Sequence, residues 1–171
     1  MKNLYLLALI MVISGCSTVI HQHNLACHNR TRTQIVQSAT AVLVQSGFTI
    51  KSADTVLGLI QAETPDEARI GGYLEHRVWQ IMIKPRLEGH SEISSQEKES
   101  LSKPQGAASM YLFATAKSVL KGTNVFGATT GTSETYYHDG VSESWNWYWD
   151  VRRGLEEICG ARCIISKRSV N

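Results

Sequence analysis

The chain of 171 residues has little net charge, with 17 Lys and Arg set against 15 Asp and Glu for a formal +2. Its cations are scattered rather than striped, so no nucleic acid is expected as a partner: binding a polyanion needs a basic face. Familiar catalytic signatures are missing as well. The sequence has no G-x-S-x-G, no H-E-x-x-H, no G-x-x-x-x-G-K-[ST] and no EF-hand loop, which lowers the case for a hydrolase, a zinc protease or a nucleotide enzyme. Its paired acids, Asp66 with Glu67 and Glu156 with Glu157, are adjacent in sequence and read as solvated surface rather than an acid/base dyad. "GATTGTS", Gly127 to Ser133, lacks the Lys and following helix of a phosphate cradle and reads as a surface loop. No cofactor is implied, and the chain is expected not to be an enzyme.

The apolar run "LYLLALIMVI", Leu4 to Ile13, is too short to span a bilayer. Preceded by Lys2, it has the length of a signal-peptide core, yet no A-x-A-like cleavage site comes after it. Its end runs instead into "ISGC", Ile13 to Cys16, which resembles the lipobox of bacterial lipoproteins: an aliphatic residue, a small one, Gly, then Cys. That resemblance implies removal of residues 1–15 as a lipoprotein signal peptide, a diacylglycerol on the Cys16 sulfur and usually a third acyl chain on its amine. Two or three chains hold a protein on a membrane, where one does so only marginally. Ser17 in place of Asp implies, for lipoproteins of this kind, onward transport to the outer membrane, so the expected location is lipid-anchored and periplasm-facing.

With Cys16 acylated, Cys27, Cys159 and Cys163 remain in an oxidising compartment, where pairing is expected. An odd count leaves one over. Cys159 and Cys163 could close a small loop around "GAR", or Cys27 could reach either of them; the second option closes a far longer loop and stabilises more. Residues 16–31 read as the lipidated Cys and a polar tether. His21, His23, Cys27 and His28 offer enough imidazole and thiolate for zinc or copper, but a flexible tether makes convergence on one ion costly, so no metal is expected. Cys27 and His28 point apart in an extended chain and make a poor nucleophile and base.

The remaining 32–171 read as one domain, the default for a chain of this length. "TRTQIVQSATAVLVQSG" places Ile35, Val36, Ala39, Val42 and Leu43 on one helical arc, closed by Gly47. Strands are read at "FTIKSAD", after a turn at Asp54 at "VLGLIQAET", and at "EHRVWQIMIKPRLEG", where Trp79, Ile81 and Ile83 alternate with polar neighbours. "HSEISSQEKE" reads as a polar edge strand. The insertion at about 100–141 begins with "ASMYLFATAKSVLKG", read as a helix, and continues into a Gly/Thr-rich loop or hairpin. A final helix, "SESWNWYWDVRRGLEEICG", puts Trp147, Tyr148, Val151, Leu155 and Ile158 on its apolar arc. Trp145 and Trp149 fall on the margin, where a large ring with a polar N–H suits a partner protein or a membrane interface. A short strand, "RCIIS", leads to a basic tail with Lys167 and Arg168.

The stretch "SGFTIKSADTVLGLIQAE", with Gly47, Asp54 and Gly58 in a hydrophobic pattern between a helix and a Trp-containing strand, resembles small bacterial envelope lipoproteins. A similar helix-grip arrangement occurs in the lipoprotein C component of the outer-membrane β-barrel assembly machinery. The resemblance covers about residues 33–97, and the Gly/Thr-rich insertion and three cysteines depart from it, so no binding residues transfer. The expected fold is α+β: an antiparallel sheet of three to five strands with amphipathic helices packed on one face. The expected role is an accessory or structural component of an envelope assembly, touching unidentified envelope proteins through the edge at Ser91 to Glu97, the insertion, or Trp145 and Trp149. The alternatives are a lipid or small-ligand carrier, with a cavity lined by Trp79, Ile81 and Ile83, and a cell-wall enzyme with a convergent His or acid cluster.

Overall fold

Residues 18–85, 110–124, 126, 128–138 and 146–170 are described by a computed structural model of the chain. Helix α1 (Arg32–Gln45) begins with a capping box. The Thr31 hydroxyl accepts from the Gln34 amide at 3.3 Å, and the Gln34 side chain accepts from the Thr31 amide at 2.9 Å. Its far end closes with Phe48 N–H on the Leu43 carbonyl and Gly47 N–H on that of Val44; Gly47, at φ +85°, makes the left-handed turn this closure requires. Ile35, Val36, Ala39 and Leu43 are buried, which is the arc read from the sequence.

The strands are β1 (Thr18–Cys27), β2 (Thr49–Asp54), β3 (Leu59–Glu63), β4 (Glu67–Arg69), β5 (Tyr73–Pro85), β6 (Met110–Thr123), β7 (Thr129–Tyr136) and β8 (Ile164–Val170). They form one antiparallel sheet of 8 strands. β5 and β6 pair along their whole length, from Tyr73 with Gly122 to Pro85 with Met110. At the Pro85 end the sheet is wide, with β3 and then β2 beside β5, and β1 and then β8 beside β6. Toward the Tyr73 end those flanks give way to β4 on β5 and β7 on β6. The sheet therefore narrows into a four-stranded arm.

Helix α2 (Asn146–Cys159) buries Tyr148, Val151, Leu155 and Cys159. Those side chains join Ile35, Ala39 and Leu43 of α1 and Leu25, Ile60, Trp79, Ile81, Ile83, Leu112, Ala114 and Ala116 of the sheet in a single core. Sizes are matched across strands: Trp79 sits opposite Ala116, and Ile81 opposite Ala114. Where the helices meet, a Cβ on Gly154 would stand 2.6 Å from Val42 Cγ1. Gly154→Ala should therefore lose about 1 kcal/mol net, because overpacking against a stiff β-branched neighbour outweighs the better helix propensity of Ala. A urea double-mutant cycle with Val42→Ala checks this; the pair should be more stable than the two single losses added together.

Four expectations are corrected. A sheet of three to five strands with helices on one face is overturned by a single antiparallel sheet of 8 strands accompanied by two helices. The tether of residues 16–31 does not hold from Thr18 on, because Thr18–Cys27 is a strand laddered to both β6 and β8. Thr18–Asn24 ladder to β8 and His23–Cys27 to β6, so backbone pairing holds the whole segment in the sheet whatever side chains it carries. The helix read in "ASMYLFATAKSVLKG" is β6, whose Leu112, Ala114, Ala116 and Ser118 are buried at a period of two. The single domain drawn from residue 32 must accordingly extend back to include β1. The expected edge at Ser91 to Glu97, together with Cys16 and Trp145, lies outside the described residues.

Candidate functional site

The densest gathering of chemistry-bearing groups lies against α2, where β1 parts from β6 and β7 takes its place. His23 is buried there, with Nδ1 3.3 Å from the Ala114 carbonyl and Nε2 2.6 Å from the Tyr148 hydroxyl. A carbonyl can only accept, so Nδ1 carries a proton, and a neutral ring then accepts the phenol proton at Nε2. Trp79 stacks on Tyr148 with ring centroids 5.9 Å apart, and Trp147 stands edge-on to Tyr137 at 5.0 Å and to Tyr148 at 6.2 Å. Trp79, Ile81 and Ile83, the lining expected of a carrier's cavity, are buried in this packed layer.

Further along the arm, Glu75 is buried between strands. Its Oε1 accepts from Ser118 Oγ at 2.6 Å and its Oε2 from Arg69 Nε and Nη2, each at 2.5 Å. Burial alone would raise the Glu75 pKa, but the hydrogen bonds from Ser118 and Arg69 and the charges of Arg69 and Arg77 outweigh it and hold the carboxyl below its ordinary value. Arg77 also pairs with Glu67 at 3.2 Å and lies 5.5 Å from the Trp147 ring centre. Nearby, the Tyr137 phenol is pushed up, chiefly by burial. An ionised Glu75 with both oxygens occupied is suited to joining β4, β5 and β6, not to moving protons.

His21 stacks on His138 with centroids 4.0 Å apart. Burial lowers the His21 pKa, and the neighbouring His138 and Lys167 lower it further. Because the folded value lies below the unfolded one, the unfolded chain takes up its proton first as pH falls through the ordinary histidine value of 6.5, and stability is lost. Glu75 adds a loss in the same direction below 4.5. The melting temperature should therefore drop between about pH 7.5 and 5.5, and His21→Gln should flatten that drop; thermal melts of both chains across this range check it. Among the described residues no three His, Cys, Asp or Glu side chains converge as a metal site.

The expected site residues end up apart. Cys27, at the end of β1, is bridged to Cys159, at the end of α2, over a sequence separation of 132; Cys163 stands outside the bridge, half-buried. Trp149 is half-buried against Tyr148, at 5.2 Å, with the Arg152 guanidinium 5.0 Å from its ring centre. Only part of its ring faces outward. Sequence reasoning missed the arm, whose turns present Ile70 and Phe126 to solvent. The signal was available in "RIGGY" and "NVFGA", large apolar residues beside turn glycines. Compared with known proteins, the chain matches no family model and no curated sequence.

Proposed function

We propose that the chain is a lipid-anchored lipoprotein of the outer membrane, facing the periplasm, that takes no part in catalysis and serves an envelope assembly through protein contacts. The anchor reading rests on "ISGC" after a signal-like apolar run. The observation that carries the protein-contact reading is β7. All but the last of its residues are exposed, one side is laddered to β6, and no strand ladders on the other among the described residues. Natural edge strands are blunted with charge. β2 carries Lys51 and Asp54, and β8 carries Lys167 and Arg168, whereas Glu134 is the one charge on β7 and is bound to Lys117 at 2.6 Å. A partner strand can add there through main-chain hydrogen bonds, with the outward part of Trp149 as a second contact.

Photo-crosslinking in living cells tests this, with the reactive residue at Thr132 on β7 and, as control, at Ser52 on β2. Extraction in mild detergent should recover a discrete heavier species from Thr132 and none from Ser52. A lone monomer from both positions would sink the assembly reading.

A further inference from the structure

The tip of the arm holds two turns side by side, that between β4 and β5 and that between β6 and β7. They are tied together by the Thr123 amide and hydroxyl, which both donate to the Gly72 carbonyl, at 3.1 and 2.7 Å. Ile70 in the first turn is 102 % exposed and Phe126 in the second 91 % exposed, with Tyr73 at 44 % beside them. A single exposed apolar side chain is ordinary on a protein surface. Here the fold holds the residue out. The Asn124 side-chain oxygen accepts from the Phe126 and Ala128 amides at 3.0 and 2.9 Å, and the Asn124 amide donates to the Ala128 carbonyl, so the turn that projects Phe126 is fixed by three hydrogen bonds.

Strand polarity decides what this tip faces. β6 runs toward the tip, and β1 is antiparallel to it, so β1 starts on the tip side of the sheet. β8, antiparallel to β1, ends on the same side, with Val170 opposite Thr18 and the exposed Lys167 and Arg168 just before it. Cys16 precedes Thr18 by two residues, a reach of about 7 Å at most. Resting on the proposed acylation of Cys16, we infer that the arm tip is a second membrane contact: Ile70 and Phe126 enter the same leaflet as the lipid, with Tyr73 at the interface and Lys167 and Arg168 against anionic headgroups. Amphipathic rings and basic side chains favour that interface, and one anchor plus inserted apolar residues fixes an orientation that acyl chains alone leave free. The acids along the arm do not oppose approach, since Asp66, Glu67 and Glu134 each pair with a Lys or Arg.

The test uses the full acylated chain with Cys163→Ser, reconstituted in vesicles of phosphatidylethanolamine and phosphatidylglycerol. A polarity-sensitive fluorophore is placed in turn at Ile70→Cys, Phe126→Cys and Val56→Cys. Val56 is 76 % exposed in the turn between β2 and β3, at the opposite end of the sheet, and serves as the internal control. Emission from positions 70 and 126 should shift to the blue and be quenched by spin-labelled lipid, while position 56 reports water. An acylated chain that floats with the vesicles but shows no shift at 70 and 126, or shows it at 56 instead, overturns the tip contact and leaves the anchor standing. A tip shift that needs a protein partner and not lipid overturns it equally. A chain that carries no acyl group and does not float removes both.

Discussion

Replacing Cys27 and Cys159 together with Ala should lower the unfolding free energy by about 2–5 kcal/mol. The bridge closes a loop with a sequence separation of 132, for which the chain-entropy argument gives a ceiling of about 5 kcal/mol. Set against the roughly 5–15 kcal/mol that holds a typical domain folded, such a loss leaves little margin. The double replacement matters because Cys159→Ala alone would leave Cys27 free to seek Cys163, which stands close by in the chain. Cys163→Ala, outside the bridge, should change stability far less. Denaturant melts of the three chains, with peptide mapping under non-reducing conditions, check both the energy and the pairing. A Cys27–Cys163 peptide as the main product would show the connectivity to be wrong.

The second large effect is expected at His23. His23→Leu keeps roughly the volume but leaves the Tyr148 hydroxyl and the Ala114 carbonyl without the imidazole, each buried. The expected loss is about 2–4 kcal/mol, because two buried polar groups lose a partner at once. Tyr148→Phe alone should cost about 1–2 kcal/mol. The combination should be less damaging than the sum of the two, since each replacement removes the same hydrogen bond, which can be lost only once. Urea unfolding of the cycle measures the coupling; strict additivity would mean that the 2.6 Å contact contributes nothing of its own.

How much of this was legible depended on whether the signal was local. α1 could be read because its cap, its arc and its Gly47 stop are all within one stretch of chain. β5 could be read from the alternation around Trp79, Ile81 and Ile83. β6 could not. Its buried face is Leu112, Ala114, Ala116 and Ser118, of which the two alanines make sense only opposite Ile81 and Trp79 of another strand, and alanines taken alone suggest a helix. β1 was hidden by His21, Gln22, His23 and Asn24, polar in isolation, although His23 is as buried as any Leu once Tyr148 and Ala114 meet it. The Glu75 cluster draws Arg69, Glu75 and Ser118 from three different strands, so only the register brings it together. The bridge was half legible: oxidising conditions and loop length pointed to Cys27 with one of two partners, and the end of α2 decides for Cys159.

Placing β1 in the sheet changes what the proposed anchor would do. A long tether would let the domain wander from the bilayer, whereas a strand starting at Thr18 would keep it close to an acylated Cys16. No helix among the described residues is long and apolar enough to cross a membrane. Attachment through Cys16 is the claim on which the proposed membrane contact of the arm and the proposed role both rest. The most direct measurement is the intact mass of the protein purified from bacterial envelopes, with sequencing of its N-terminal peptide. A chain beginning at Cys16, lacking residues 1–15 and carrying the added mass of a diacylglycerol and an amide-linked acyl chain is expected. An unmodified Cys16, or a chain that still begins at Met1, would contradict it.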